Sequence, residues 1–257
     1  MSTATAPQRA ASLGDGRAST QQVLGSVGVA AAALALWQVA SLLTFVIPPP
    51  LETLRVLFAN LAEPGYRAHL SATAGAVAVS FVIGTVVGGL LGLLLGMSHT
   101  ARLALEPLVI ALNGVPKIVL YPILLTMFQL SGAKVAMAIL FSLFPVLINV
   151  ATGVRELPAV YWKLGRSVGA SRWQMLAHVI LPGIRRPLLT GLRLAISLAV
   201  VGVVLSEFFA TRQGLGRVVL QAYGHGDYAS MVATIMLLIT ASFVLSILLW
   251  RWEKRIR

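Results

Sequence analysis

Six apolar stretches alternate with short polar segments along the chain. Four carry no charged residue: Val23–Ile47, Leu70–Ser98, Val135–Val154 and Tyr228–Trp250. Two more have a single interruption each, Lys117 within Pro107–Gly132 and Arg193 within Pro187–Ser206. A bilayer core about 30 Å thick is crossed by about 20 apolar residues of helix, so each stretch predicts a span. The pattern predicts an all-α integral membrane protein with six transmembrane helices. The first stretch outruns the core of a signal peptide, roughly 7–15 residues. It also ends in Pro48-Pro49-Pro50 rather than a small-residue cleavage site, and so reads as a retained span.

The remaining segments divide the chain. Residues 1–22, rich in Ser, Thr, Ala and Gln, read as a disordered cytoplasmic tail. Residues 23–66 hold the first span and an outer connection, in which Leu54, Leu57, Phe58 and Leu61 predict a short amphipathic helix. Residues 67–250 carry the other five spans, and 251–257 form a basic cytoplasmic tail. No internal repeat is apparent, which gives no support to an inverted-repeat transporter. In the second span Gly84, Gly88, Gly92 and Gly96 recur every four residues and so share one helix face. Such a stripe admits another backbone closely, from the same chain or from a second subunit.

Composition agrees with a chain solvated by lipid: 58% of its residues are apolar and only 11% charged, against about 25% charged in soluble domains. The absence of cysteine removes disulfides, thiolate metal sites and cysteine nucleophiles. A formal charge of +12 raises nucleic acid as a partner until the charges are placed. With both termini inside, thirteen of the twenty Lys and Arg residues fall on the cytoplasmic side and five, Arg55, Arg67, Lys134, Arg212 and Arg217, in outer loops. That asymmetry fixes the orientation by the positive-inside rule. It leaves no basic stripe for nucleic acid.

The connection between the fourth and fifth spans, about residues 155–186, is too long and too patterned for a plain loop. Pro158 suits the first turn of a helix, and Gly169 suits a left-handed helix end. Ser171 with Gln174 three residues on predicts a capping box. Trp173, Leu176, Ala177 and Ile180 then follow at helical spacing before Pro182 stops the helix. The layout is a short helix, a Gly-centred bend and a second amphipathic helix, exposing Trp173 and Leu176 among basic residues. Such a patch meets a partner or the headgroup layer.

The residues Gly169-Ala170-Ser171, followed by Val179-Ile180-Leu181-Pro182 and Gly191-Leu192-Arg193, resemble the EAA loop of the inner-membrane permeases of binding-protein-dependent ABC importers. The likeness continues in His69-Leu70-Ser71-Ala72-Thr73, Pro116, Tyr121-Pro122, Phe144-Pro145, Ser206-Glu207 and Gly214-Leu215-Gly216, which are similar to the nitrate/sulfonate/taurine branch. It spans about residues 67–250. The resemblance implies a type I (MetI-like) permease fold, a homodimer lining one pathway and two copies of a cytoplasmic ABC ATPase. It also implies an extracytoplasmic substrate-binding protein and a bacterial inner-membrane location. The substrate it implies is a small anion such as sulfonate, taurine or nitrate, with pyrimidine or vitamin precursors as the alternative. ATPase coupling would fall to Gly169, Ala170, Ser171, Trp173, Leu176, Leu181 and Pro182. One departure stands out: the family's Glu-Ala-Ala is here Lys163-Leu164-Gly165.

The sequence contains no G-x-x-x-x-G-K-[ST] phosphate loop, so energy has to come from a partner. Ionisable residues within spans are functional candidates by default, because burying them costs about 2.5–3.5 kcal/mol on insertion scales. Asn113, Lys117, Tyr121 and Glu207 are the candidate pathway residues. Lys117 reads as a contact for an anionic substrate, as a partner of Glu207 or as snorkelling to an interface, and Glu207 alternatively pairs with Arg212 or Arg217. Arg193, near the cytoplasmic end of its span, reads as snorkelling. His178 has no second ligand at i±4, so neither a metal nor a cofactor is expected. Ser171 and His178 stand too far apart for a nucleophile–base pair. The rival classes, a passive channel or scaffold and a membrane enzyme, lack a reason for the capped cytoplasmic helix pair or a polar constellation shared between spans.

Overall fold

The structure is a computed structural model and describes residues 14–209 and 211–256. Its helices are α1 (Gly14–Leu43), α2 (Pro50–Ala62), α3 (Pro64–Met97), α4 (His99–Gly114), α5 (Tyr121–Arg155) and α6 (Ala159–Ser167). They continue as α7 (Arg172–Met175), α8 (Leu181–Gly183), α9 (Arg185–Phe209), α10 (Leu215–Gly224) and α11 (Tyr228–Ile256). A 3₁₀ turn, Lys117–Leu120, precedes α5, and a π turn, Leu176–Ile180, joins α7 to α8.

Among the described residues, four segments are long and apolar enough to cross a membrane: Pro64–Met97, Lys117–Arg155, Arg185–Phe209 and Tyr228–Arg251. The first apolar stretch gives a shorter apolar helix, Val27–Leu43, within α1. Because α1 begins at Gly14, it reaches back into the segment expected as a tail; residues 1–13 of that tail lie outside the described residues. The third stretch is not one helix but α4, the 3₁₀ turn and the start of α5. Pro116 explains the first division, since it holds Val115 extended at φ −70°, ψ 133° and lacks an N–H. The second division is at Gln129, whose φ of 57° and ψ of −175° interrupt α5. The expected boundary at Lys134 is therefore displaced: Lys134 lies inside the part of α5 that follows Gln129 and is buried.

The core is built by α3, α5 and α9. Ala76 and Val77 of α3 meet Ala138 of α5 and Ile196, Ala199 and Val203 of α9. Further along, Val146, Val150 and Val154 pack with Ile180, Ile184 and Ala195. Small residues set the spacing. The stripe on α3 faces α5: a Cβ on Gly88 would stand 2.5 Å from the Leu143 carbonyl oxygen, and one on Gly92 would stand 2.7 Å from that of Leu147. Gly84 and Gly96 meet Ser142 and Val154 of the same helix in the same way. Two hydroxyls then bridge the pair, Ser142 donating to the Ser80 carbonyl at 3.2 Å and Ser80 to that of Val135 at 3.2 Å. In lipid, where helix association gains nothing from burying apolar surface, such close packing and interhelical hydrogen bonding hold the bundle together.

Candidate functional site

Two regions concentrate the chemistry, one at each end of the bundle. At the end of α9, Glu207 is 2% exposed and Lys134 is 8% exposed, with Lys134 Nζ 3.3 Å from Glu207 Oε1. The carboxylate is fully engaged. Thr73 Oγ1 lies 3.0 Å from both of its oxygens, and the Gly216 N–H donates to Oε2 at 2.9 Å. Thr73 in turn accepts from the Leu215 N–H at 2.8 Å, and His69 Nδ1 accepts from the Gly214 N–H at 3.0 Å. Lys134 also donates to the Gln213 carbonyl at 3.3 Å.

The sequence shapes this wrap locally. Gly214 takes φ 146°, a conformation that L side chains avoid, and a Cβ there would fall inside the Glu207 carboxyl group. Gly216 must also be small, since its Cβ would stand 2.7 Å from the Val204 carbonyl oxygen. Gly214-Leu215-Gly216 is thus a backbone cradle for one buried carboxylate. The partners expected for Glu207 are corrected by this geometry. It pairs with Lys134, not with Lys117, Arg212 or Arg217. Seventy-three positions separate the two residues, and only the packing of α5 against α9 brings them together.

Lys117 instead donates to the Asn113 carbonyl at 3.2 Å and to Asn113 Oδ1 at 3.4 Å, with its ammonium 4.8 Å from the centroid of the Phe144 ring. A cation over a ring face is favoured by the ring quadrupole. Tyr121 is buried, its ring 5.9 Å from that of Phe209. The four candidate pathway residues therefore do not form one cluster. Asn113 and Lys117 are together, and Glu207 belongs to a separate ion pair.

At the opposite end, α5 leads into the capped helix pair. The bend after α6 is a Schellman motif: the Ala170 N–H donates to the Gly165 carbonyl at 2.9 Å, and the Gly169 N–H to that of Arg166 at 3.2 Å. Gly169 supplies the φ of 68° that this needs. Ser171 and Gln174 then form the capping box, with the Ser171 N–H donating to Gln174 Oε1 at 2.7 Å and the Gln174 N–H to Ser171 Oγ at 3.2 Å. Gly165 is buried against Met175, which seats α6 on α7.

Two expectations for this loop are corrected. Leu176 is not exposed beside Trp173, because it packs on the Val146–Ile184 cluster together with Leu157, Trp162, Leu188 and Leu192. Pro182 does not stop the helix either. The wider π turn over Leu176–Ile180 absorbs the missing N–H, and the chain stays helical through α8 to Gly183. What remains outside is an apolar patch, with Trp173 73% and Val168 71% exposed, beside Val160, Tyr161, Leu164 and Leu181. Around it Lys163, Arg166, Arg172, Arg185 and Arg186 are exposed, and Glu156 is the one acid of the loop. Nearby, Arg155 ties α5 to Glu106 of α4 at 2.6 Å.

This arrangement, a small-residue bundle with a capped and partly apolar connection at one end, has counterparts among known proteins. The family described as binding-protein-dependent transport system inner membrane component matches residues 84–257. The chain belongs to this family. It is the permease subunit of an ABC importer, a membrane-spanning transport component. Over 250 residues the permease is 27% identical to the taurine transport system permease protein TauC of Escherichia coli, covering 92% of this chain and 90% of that one. Over 205 residues it is 29% identical to the formylaminopyrimidine transport permease protein ThiX of Halalkalibacterium halodurans, covering 76% and 81%. An inward-facing structure of the MetNI methionine ABC transporter superposes with a TM-score of 0.67 at 18% identity, covering 76% of this chain and 99% of that chain. It shares the fold. Among the described residues there is no group of three His, Asp or Glu able to hold a metal.

Proposed function

We propose that two copies of the permease line one pathway across a bacterial inner membrane, with both termini cytoplasmic. Two copies of an ABC ATPase engage them from below, and an extracytoplasmic binding protein delivers substrate from above. Transport proceeds by alternating access. Closure of the ATPase pair draws the two connections at residues 155–186 together and opens the path outward; hydrolysis resets it. Bond chemistry belongs to the ATPase, and this chain supplies the path and the mechanical link.

The observation that carries the reading is the connection between α5 and α9. Its bend and cap are built by specific hydrogen bonds, yet it presents Trp173 and Val168 to solvent. Rigid capping around an unpartnered apolar patch suits a docking element. In this reading Gly169, Ala170 and Ser171 set its angle and Trp173 enters the ATPase groove. Leu176, Leu181 and Pro182 transmit its movement to α9. Lys163, where the family has an acid, faces a groove that is itself acidic.

The proposed substrate is a small anion of the sulfonate, taurine or nitrate kind. Similarity to the taurine permease over nearly the whole chain supports it, as does the half-buried Lys117 beside Asn113. A pyrimidine precursor is the second reading, favoured by the likeness to the formylaminopyrimidine permease. The test is Gly169→Val. No neighbour among the described residues stands within 4 Å of a Cβ there, so the cost is confined to the left-handed backbone, roughly 1–2 kcal/mol. Membrane insertion is expected to be intact while ATP-driven uptake is lost; normal uptake with normal ATPase assembly would reject the coupling role.

A further inference from the structure

The geometry points to a binding site for a small oxyanion at the outer end of the bundle, in a cavity beside the Lys134–Glu207 pair. The inference rests on the proposed import of a small anion and names where that anion is first held by this chain. The cavity has a volume of about 500 Å³ and its polar lining is Ser71, Ser131, Lys134, Thr211, Arg212 and Gln213. No carboxylate lines it.

Three independent features favour an anion there. Lys134 spends donors on Glu207 and the Gln213 carbonyl, but an ammonium has three, so one remains for a ligand. Arg212 is exposed, and among the described residues no carboxylate lies within ion-pair distance of it. Its guanidinium thus adds a positive charge that nothing at the site offsets. Thr211 is 7% exposed and its hydroxyl is buried with no hydrogen-bond partner among the described residues, which is costly unless a ligand or water completes it.

The backbone adds a fourth element. Gln129 is the described non-glycine residue with a positive φ, and the helical segment restarts at Leu130 and Ser131, which are both in the cavity wall. A broken helix at membrane depth is tolerated where it lines a cavity, and the restarted segment brings the positive end of its dipole to the site. Strain of this kind persists where the surroundings over-determine it, most often at functional positions.

The experiment uses the full-length permease in maltoside micelles free of phospholipid. Its ligands are methanesulfonate and dimethyl sulfone, the latter the same shape without the charge. Saturable binding of methanesulfonate and none of dimethyl sulfone is expected. Arg212→Gln, a change at an exposed loop position, is expected to weaken it at least tenfold, and the isosteric Thr211→Val several-fold. Methanesulfonate binding that is absent, or unchanged in both variants, would overturn the site. So would binding that disappears in phosphatidylglycerol nanodiscs, because a lipid phosphate would then be the occupant. Anion import itself is judged separately, by ATP-driven methanesulfonate uptake through the parent transporter, so a failure of that reading and a failure of the site are told apart.

Discussion

Replacing Glu207 with Gln tests the Lys134–Glu207 ion pair as an energetic unit. The carboxylate is buried and accepts from Thr73, Gly216 and Lys134. Glutamine keeps one acceptor oxygen. If that oxygen serves the Gly216 N–H, the amide NH₂ turns towards the Lys134 ammonium, donor against donor. Lys134 is then left buried with the Gln213 carbonyl as its remaining acceptor. Removing one partner of a buried pair costs about 3–5 kcal/mol. The lower end applies here, because Lys134 borders a cavity that water can enter. For chains of this length 1 kcal/mol moves Tm by about 2–4 °C, so a fall of about 6–12 °C is expected. Removing both charges, with Lys134→Met added, leaves no uncompensated ion and is expected to recover at least half of that loss. The assay is thermal unfolding of the four purified proteins in maltoside, followed by tryptophan fluorescence. A Glu207→Gln protein within 2 °C of the parent (about 1 kcal/mol or less), or a double variant whose loss equals the sum of the singles, would refute the reasoning.

Other substitutions probe the packing and the path. Gly92→Val places a side chain against the Leu147 carbonyl and Val150; the yield of folded, monodisperse protein is expected to fall sharply, whereas Gly89→Val, with nothing within 4 Å, is expected to behave as the parent in the same chromatography. Gly214→Ala drives a methyl group into the Glu207 carboxyl and is expected to lower Tm at least as far as Glu207→Gln; an unchanged Tm would show that the cradle yields. Lys117→Met removes the ammonium held by Asn113 and is expected to raise the KM for anion uptake about fivefold or more with yield unchanged, roughly 1 kcal/mol of lost binding. An unaltered KM would take Lys117 off the path.

Much of the bundle was legible because lipid demands long apolar helices, and Leu70–Ser98, Val135–Val154, Pro187–Ser206 and Tyr228–Trp250 met that demand with Arg193 as their single charge. The capping box at Ser171 and the bend at Gly169 were legible for a different reason: both depend on residues within a few positions of each other. The break at Gln129 was not. Neither glycine nor proline marks it, and its positive φ is a conformation that its residue type does not favour. Lys134 looked like an outer-loop charge because it separates two apolar stretches, and only the meeting of α5 with α9 makes it the partner of Glu207. Leu176 was misplaced because the surface it packs on is assembled from α5 and α9, and spacing within the loop says nothing of that contact.

The central claim is that the α5–α9 connection is where an ABC ATPase engages this chain. The absence of cysteine in the sequence makes a clean probe available. Val168→Cys, at a solvent-facing position beside the bend, and Tyr223→Cys, exposed on α10 at the opposite end, would each carry a photo-crosslinker in membranes of the native host. The account predicts that Val168→Cys captures a nucleotide-binding ABC subunit, identified by mass spectrometry, with a yield that changes when ATP is trapped, and that Tyr223→Cys does not. Capture of that subunit from Tyr223→Cys, or its absence from the Val168→Cys adducts, would contradict it.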